Sequence, residues 1–206
     1  MPYPFAEIAF TPAVRAAQTA NGSREFCEAM EKSDRDFVFS EREAEFLAAR
    51  DHFFMATVTE TGWPYLQHRG GPAGFIQVLS DKRFAFPDFR GNRQYVSVGN
   101  LSVDARAAFF FIDYPNRARL KALARVTAKS VDDEPEVIKR FSAFNYKAKI
   151  ERVFIAEVEA LDWNCPQHIT PRFTDADLAP AISKLTNEID ALRAENEALK
   201  ERLALA

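Results

Sequence analysis

Between residues 53 and 161 the chain is written as short aromatic and β-branched runs, most of them joined by brief connections. Parallel strands need a crossover of a dozen or more residues, so such runs pair antiparallel. Residues 53–59 read as a buried strand, and Glu60-Thr61-Gly62 turns the chain. Residues 64–69 form a second, with Tyr65, Gln67 and Arg69 on one face and Leu66 and His68 on the other. Residues 75–79 and 83–86 form a hairpin across Ser80-Asp81-Lys82. Residues 106–112 are an apolar strand containing Phe109, Phe110 and Phe111. Residues 119–126 alternate: Arg119, Lys121 and Arg125 face one way, Leu120, Ala122, Ala124 and Val126 the other. A helix over 131–144 precedes a last long strand at 152–161. The fold class is mainly β (α+β), a small antiparallel β-barrel with flanking helices. Phe occurs 19 times and Gly only 7, so much ring surface must be buried. The glycines cluster between Gly62 and Gly99, which marks that window for tight turns or close backbone approach to a ligand.

The two ends read differently. Thr11-Pro12 is a cap with proline at the first helical position, opening a helix that Asn21-Gly22 stops. Ser23 can cap a second helix to about Lys32. Ser40 and Glu43 fit a capping box for a third, running to about Arg50. The division expected is an N-terminal helical extension at 1–39, a barrel domain at 40–173 and a C-terminal helix at 174–206. In that tail the apolar residues step by three and four. With Ile182 at heptad position a, Ile189, Asn196 and Leu203 follow at a, and Leu185, Leu192 and Leu199 fall at d. β-branched residues at a, leucine at d and one asparagine at a favour a parallel two-stranded coiled coil. Glu188 and Glu195 at g then meet Arg193 and Lys200 at e of a second chain. The alternative is a lone amphipathic helix folded back on its own domain. Isolated three-heptad coils are marginal, so a homodimer would involve the globular domain too.

Composition narrows the function classes. Lys and Arg total 27 against 30 acids, for a net charge of −3, which argues against a broadly basic nucleic-acid binder. No apolar run reaches the roughly 18 residues that span a bilayer, and the first residues lack a secretion signal. Two cysteines, Cys27 and Cys165, build neither a disulfide framework nor a metal site. The expected home is the cytoplasm. His52, His68 and His168 lack metal-ligand spacing, so no metal is expected.

Asp88-Phe89-Arg90-Gly91-Asn92-Arg93 follows a strand and precedes a candidate helix over 93–101. Such a helix would set Arg93, Ser97 and Asn100 on one face and aim the amides of Gly91 and Asn92 outward beside two arginines, which is the chemistry of a phosphate site. The other reading is a surface turn with scattered charges. Gln67 and Arg69 share one strand face, and Arg119 and Lys121 another. If the barrel gathers them beside Arg93, a planar anionic ligand would meet several donors. Walker, Gly-x-Gly-x-x-Gly, His-Glu-x-x-His and Gly-x-Ser-x-Gly motifs do not occur in the sequence, and no catalytic residue can be named.

Three blocks, Trp63-Pro64-Tyr65-Leu66-Gln67-His68-Arg69-Gly70-Gly71-Pro72, Asp88 through Leu101, and Trp163-Asn164-Cys165-Pro166-Gln167-His168-Ile169, resemble in order and spacing the pyridoxamine 5'-phosphate oxidase-like family of FMN-binding split barrels. The resemblance implies a six-stranded antiparallel split barrel, a two-fold homodimer, and FMN in clefts between subunits. It implies that Gln67, Arg69, Asn92, Arg93 and Arg119 contact FMN, and that Trp163 and Gln167 lie in a segment reaching the partner's flavin. Asp88, Gly91, Ser97 and Lys121 complete the candidate cofactor-binding set. Gln67 and Pro72 stand where the oxidase proper has arginine and lysine, and its C-terminal substrate motif has no match, which argues against vitamin B6 oxidation. The implied activity is an FMN-dependent oxidoreductase taking electrons from NADH, NADPH or a small organic substrate. The alternatives are a non-catalytic flavin sensor or carrier, and a haem or deazaflavin binder in which His52 or His168 would be the axial ligand.

Overall fold

The computed structural model describes residues 3–33, 38–142 and 146–205. The chain divides into two units, Met1–Asp113 with Ala118–Pro166, and Tyr114–Arg117 with Gln167–Ala206.

The first unit opens with four helices, α1 (Pro4–Ala9), α2 (Pro12–Ala20), α3 (Arg24–Glu31) and α4 (Glu41–Ala48). Thr11 caps α2 as its sequence requires, its hydroxyl accepting the Val14 N–H at 3.4 Å. At α4 the Ser40 N–H donates to Glu43 Oε2 at 3.1 Å, and the capping box is complete. Helix α1 is an addition to the expected set. It starts on a proline at its first turn and buries Ala6. Tyr3 just before it is buried, and its hydroxyl donates to Asp162 Oδ1 at 2.6 Å.

The rest of this unit runs β1 (His52–Val58), β2 (Pro64–Gly70), β3 (Gln77–Ser80), β4 (Arg83–Phe89), α5 (Val96–Val103), β5 (Arg106–Asp113), β6 (Ala118–Ser130), α6 (Pro135–Ser142) and β7 (Ile150–Asn164). Every run read as a strand contains one, although β3 opens at Gln77 and leaves Phe75 and Ile76 of the expected 75–79 strand ahead of it. The strands form a single antiparallel sheet in the order β2-β1-β5-β6-β7-β4-β3. The sheet therefore has seven strands where the family resemblance implies six, and β2 and β3 stand at its two edges. The additional member is the four-residue β3, which pairs only with β4. On β6 the alternation holds, with Leu120, Ala122, Ala124 and Val126 buried.

Phenylalanine fills the interior. Strands β1 and β4 are separated in the sheet by β5, β6 and β7, yet the Phe53 and Phe86 rings lie 4.9 Å apart, edge to face. That contact is possible only because the sheet curls until its inner faces meet. Phe84 on Phe109 at 5.0 Å and Phe86 on Phe154 at 5.2 Å extend the same stack. Such pairs add roughly 0.5–1.5 kcal/mol each beyond their buried area. Gly71 is demanded by this packing, because a Cβ there would sit 2.7 Å from the Phe75 ring.

Helix α6 starts at Pro135 rather than 131, because the Ser130 hydroxyl accepts the Asp132 and Asp133 N–H groups and holds a turn instead. The end of the expected helix, at 143–144, lies outside the described residues. In the second unit, α7 (Asp175–Ala204) is capped by a box between Thr174 and Asp177 and buries none of its residues. In this unit the Arg172 guanidinium lies 4.8 Å over the Tyr114 ring. No described helix is long and apolar enough to cross a membrane.

Replacing Phe53 by alanine should remove about 3–5 kcal/mol of stability, whereas Phe26→Ala, at a ring 70% exposed, should change it by less than about 0.5 kcal/mol. Urea unfolding of both variants checks this. Equal effects would mean that the stacked rings are not what holds the curl.

Candidate functional site

The loop between β4 and α5 departs from its expected form. Helix α5 begins at Val96, not Arg93, because Arg93 (φ 64°) and Tyr95 (φ 53°) both adopt left-handed backbone. The Asn92 side chain contributes: its Oδ1 accepts the Gln94 N–H at 3.1 Å, a local turn that competes with helix. The expected helix-face alignment of Arg93 with Ser97 and Asn100 therefore fails, as does the placing of the Gly91 and Asn92 amides at a helix N-terminus. Ser97 and Asn100 do lie in α5 and are buried, and Asn100 donates to Thr57 Oγ1 at 2.9 Å.

An open cavity of about 260 Å³ lies where this loop meets the edge strand β2. Seven of the sequence candidates line it: Gln67, Arg69, Asp88, Gly91, Asn92, Arg93 and Ser97. Each element supplies its part for a local reason. Strand β2 turns Gln67 and Arg69 to the half-buried face by alternation. Strand β4 runs past its expected end to Phe89, which carries Asp88 into the sheet.

Asp88 is the centre of charge. It is only 6% exposed, and its two oxygens accept from Arg69 Nη1 and Arg152 Nη1, each at 2.6 Å. Two guanidinium groups on one carboxylate leave an excess positive charge, to which the exposed Arg93 adds. Arg69 also lies 5.2 Å over the Phe154 ring, while its Nε is buried without a hydrogen-bond partner among the described residues. A buried donor left unmade costs about 1–3 kcal/mol.

Several lining residues were not among the sequence candidates. Tyr65 shares the alternation of Gln67 and Arg69, and its hydroxyl donates to Gln67 Oε1 at 2.6 Å, so strand parity could have found it. Glu151 had no such signal. Asp88 pairs with Arg152 and Phe89 with Ile150, so Glu151 is the extra residue of a β-bulge, a device that re-aims side chains. Its carboxylate is held by Arg90 at 3.0 Å and by the Tyr95 hydroxyl at 3.1 Å. The Tyr95 ring in turn lies 5.0 Å beneath Arg152.

The remaining candidates lie outside this cavity. Arg119 and Lys121 sit on β6. Arg119 Nε is buried without a hydrogen-bond partner among the described residues, and Lys121 Nζ is 3.7 Å from Asp162. Trp163 packs on Phe46 at 4.7 Å, under Arg42, and donates its indole N–H to Glu43 Oε1 at 2.6 Å. Gln167 belongs to the second unit and is exposed. Cys165 is exposed, and no group of three or more potential metal ligands occurs among the described residues.

The cavity is open, lined by Arg69 and Arg93, and lies beside a curled antiparallel sheet. Residues 39–162 match the pyridoxamine 5'-phosphate oxidase family profile, so the chain belongs to that family. Solved structures with a similar course include HupZ of Group A Streptococcus (15% identity, TM-score 0.49, covering 66% of this chain and 100% of that one). Others are an FMN-binding protein of Syntrophomonas wolfei subsp. wolfei (12%, 0.46, 72% and 97%) and an F420 reductase (14%, 0.42, 57% and 94%). No curated protein sequence matches the chain.

The Glu43 carboxyl generates a pH dependence. Burial alone would raise its pKa, but the hydrogen bonds from Ser40 and Trp163 outweigh it and hold the group below its ordinary 4.5. A lowered folded-state pKa contributes stability above the unfolded value and loses it as pH falls through the folded one. Glu43→Gln should therefore be less stable than wild type near neutrality, with the gap closing as pH falls below about 4.5. Thermal unfolding between about pH 7 and about pH 3 measures this. A gap independent of pH would refute it.

Proposed function

We propose that the chain binds FMN through this cavity and acts as an oxidoreductase, passing electrons from NADH, NADPH or a small organic donor to a second acceptor. The observation that carries the reading is Arg69. It lines the cavity beside Arg93, and it shares the single carboxylate of Asp88 with Arg152, so positive charge is left over at the cavity wall. An anionic ligand in the cavity would offset that charge through charge-assisted hydrogen bonds. Family membership supports the same ligand class.

The roles follow from charge and position. Arg93 and the Asn92 amide would hold the phosphate, because both stand on the exposed lip of an already positive pocket. Gln67, oriented by Tyr65, offers hydrogen bonds to the ligand's polar edge. Asp88 positions the two arginines, accepting a hydrogen bond from each. FMN, when bound, supplies the redox chemistry, and the protein supplies orientation and electrostatic tuning. At about 260 Å³ the cavity falls just below the roughly 300–1,000 Å³ of ligand pockets. A second protomer completing the cleft, as the family resemblance implies, fits that size.

A carrier or sensor that binds flavin without turnover is the second reading, and one observation favours it. The two lining carboxylates are both committed: Asp88 to Arg69 and Arg152, Glu151 to Arg90 and Tyr95. Neither is free to act as a general base.

Purified protein should be yellow, absorbing near about 450 nm as flavins do, and mass spectrometry of the released ligand should give FMN rather than a deazaflavin or haem. Arg93→Ala, an exposed substitution, should weaken FMN binding by about 1.5–3 kcal/mol, the contribution of a charge-assisted hydrogen bond. Colourless protein that does not retain added FMN would end the proposal. Anaerobic mixing of the holoprotein with NADH or NADPH separates the two readings: prompt bleaching supports the oxidoreductase, and persistent colour supports the carrier.

A further inference from the structure

We propose that α7 is a docking element for a second copy of this chain, joined to it as a parallel, in-register two-stranded coiled coil. The helix is 30 residues long, about 45 Å at 1.5 Å per residue, and none of its residues is buried. Its apolar seam, Ile182, Leu185, Ile189, Leu192, Leu199 and Leu203, is between 48% and 77% exposed. Six large aliphatic side chains in one stripe are an unpartnered surface rather than scattered exposure. Pro180 lies within the helix but ahead of the first heptad residue, so the seam itself is uninterrupted.

Charge selects the partner and its direction. In a parallel pair the g residues Glu188 and Glu195 face Arg193 and Lys200 at e of the other chain, giving four attractive contacts by symmetry. In an antiparallel pair g faces g and e faces e, so Glu188 and Glu195 lose their contacts with Arg193 and Lys200, and those two cations are left without an acidic partner across the seam. Within one chain Arg193 pairs with Asp190 at 3.6 Å and Lys200 with Glu197 at 2.8 Å. All four side chains are at least 65% exposed, so these contacts contribute little and leave the cations free to exchange partners. Glu188 and Glu195 have no ion-pair partner among the described residues. Asn196 decides in the same direction. Parallel and in register, it meets its own copy and the two amides hydrogen-bond; antiparallel, it would oppose a leucine and be buried unpaired. A different protein would have to reproduce both the charge pattern and the asparagine, and a second copy does so automatically.

Cysteine cross-linking of the full chain tests this in a Cys27→Ser, Cys165→Ser background. Leu185→Cys and Leu199→Cys, at inward d positions, should each form disulfide-linked dimers on mild oxidation. Ala194→Cys, at an outward f position, should not, and a difference on the order of tenfold is expected from thiol separation. Chains carrying Ile182→Cys and Leu199→Cys, co-expressed with distinguishable tags, should link only like with like. Mixed 182–199 links would mean an antiparallel pair and overturn the proposal. So would cross-linking at both d positions no greater than at Ala194→Cys, whether or not the remainder of the chain self-associates.

Discussion

Asp88 joins three strands through two hydrogen bonds. It sits on β4, and the arginines it accepts from belong to the sheet-edge strand β2 and to β7. A nearly buried carboxylate between two guanidinium groups is stable only as a set, since removing any member leaves charge uncompensated in a poorly solvated place. The set also does what backbone hydrogen bonds do not, because β2 and β4 are not neighbours in the sheet. Its pull across that gap holds β2 against β4 at the cavity, and positive charge is left over there. The proposed binding thus draws on the same side chains as the structure.

The aromatic core makes that arrangement possible. Seven antiparallel strands in an open order could lie as a twisted slab. Packing Phe53 of β1 against Phe86 of β4 excludes the slab, because those strands are four places apart. Rings suit a curved interior, since they are large, stiff and able to meet edge to face across it. The same curl brings β2 toward β4 and so delivers Arg69 to Asp88.

Much of the sheet was legible from the sequence, because strand parity is a strict rule. The alternation of β6 and the shared face of Tyr65, Gln67 and Arg69 follow from a period of two. Capping chemistry was equally plain at Thr11 and at Ser40 with Glu43. What sequence could not reveal was non-local. The bulge that places Glu151 at the cavity depends on how β4 and β7 register. The partnership of Asp88 with Arg152 joins residues far apart in the chain. The loop at 91–95 misled for a different reason: Arg93 and Tyr95 take left-handed backbone although neither is a glycine, and such positions are set by their surroundings rather than by propensity.

Those two residues have a consequence for how the loop can change. Left-handed backbone costs a non-glycine residue roughly 1–3 kcal/mol, so a glycine at position 93 would relax the fold while deleting the cation that stands on the cavity lip. Under the proposed function, thermal tolerance and ligand grip would be set against each other at a single codon. Selection for hardiness alone would then favour the glycine and remove the charge from the cavity.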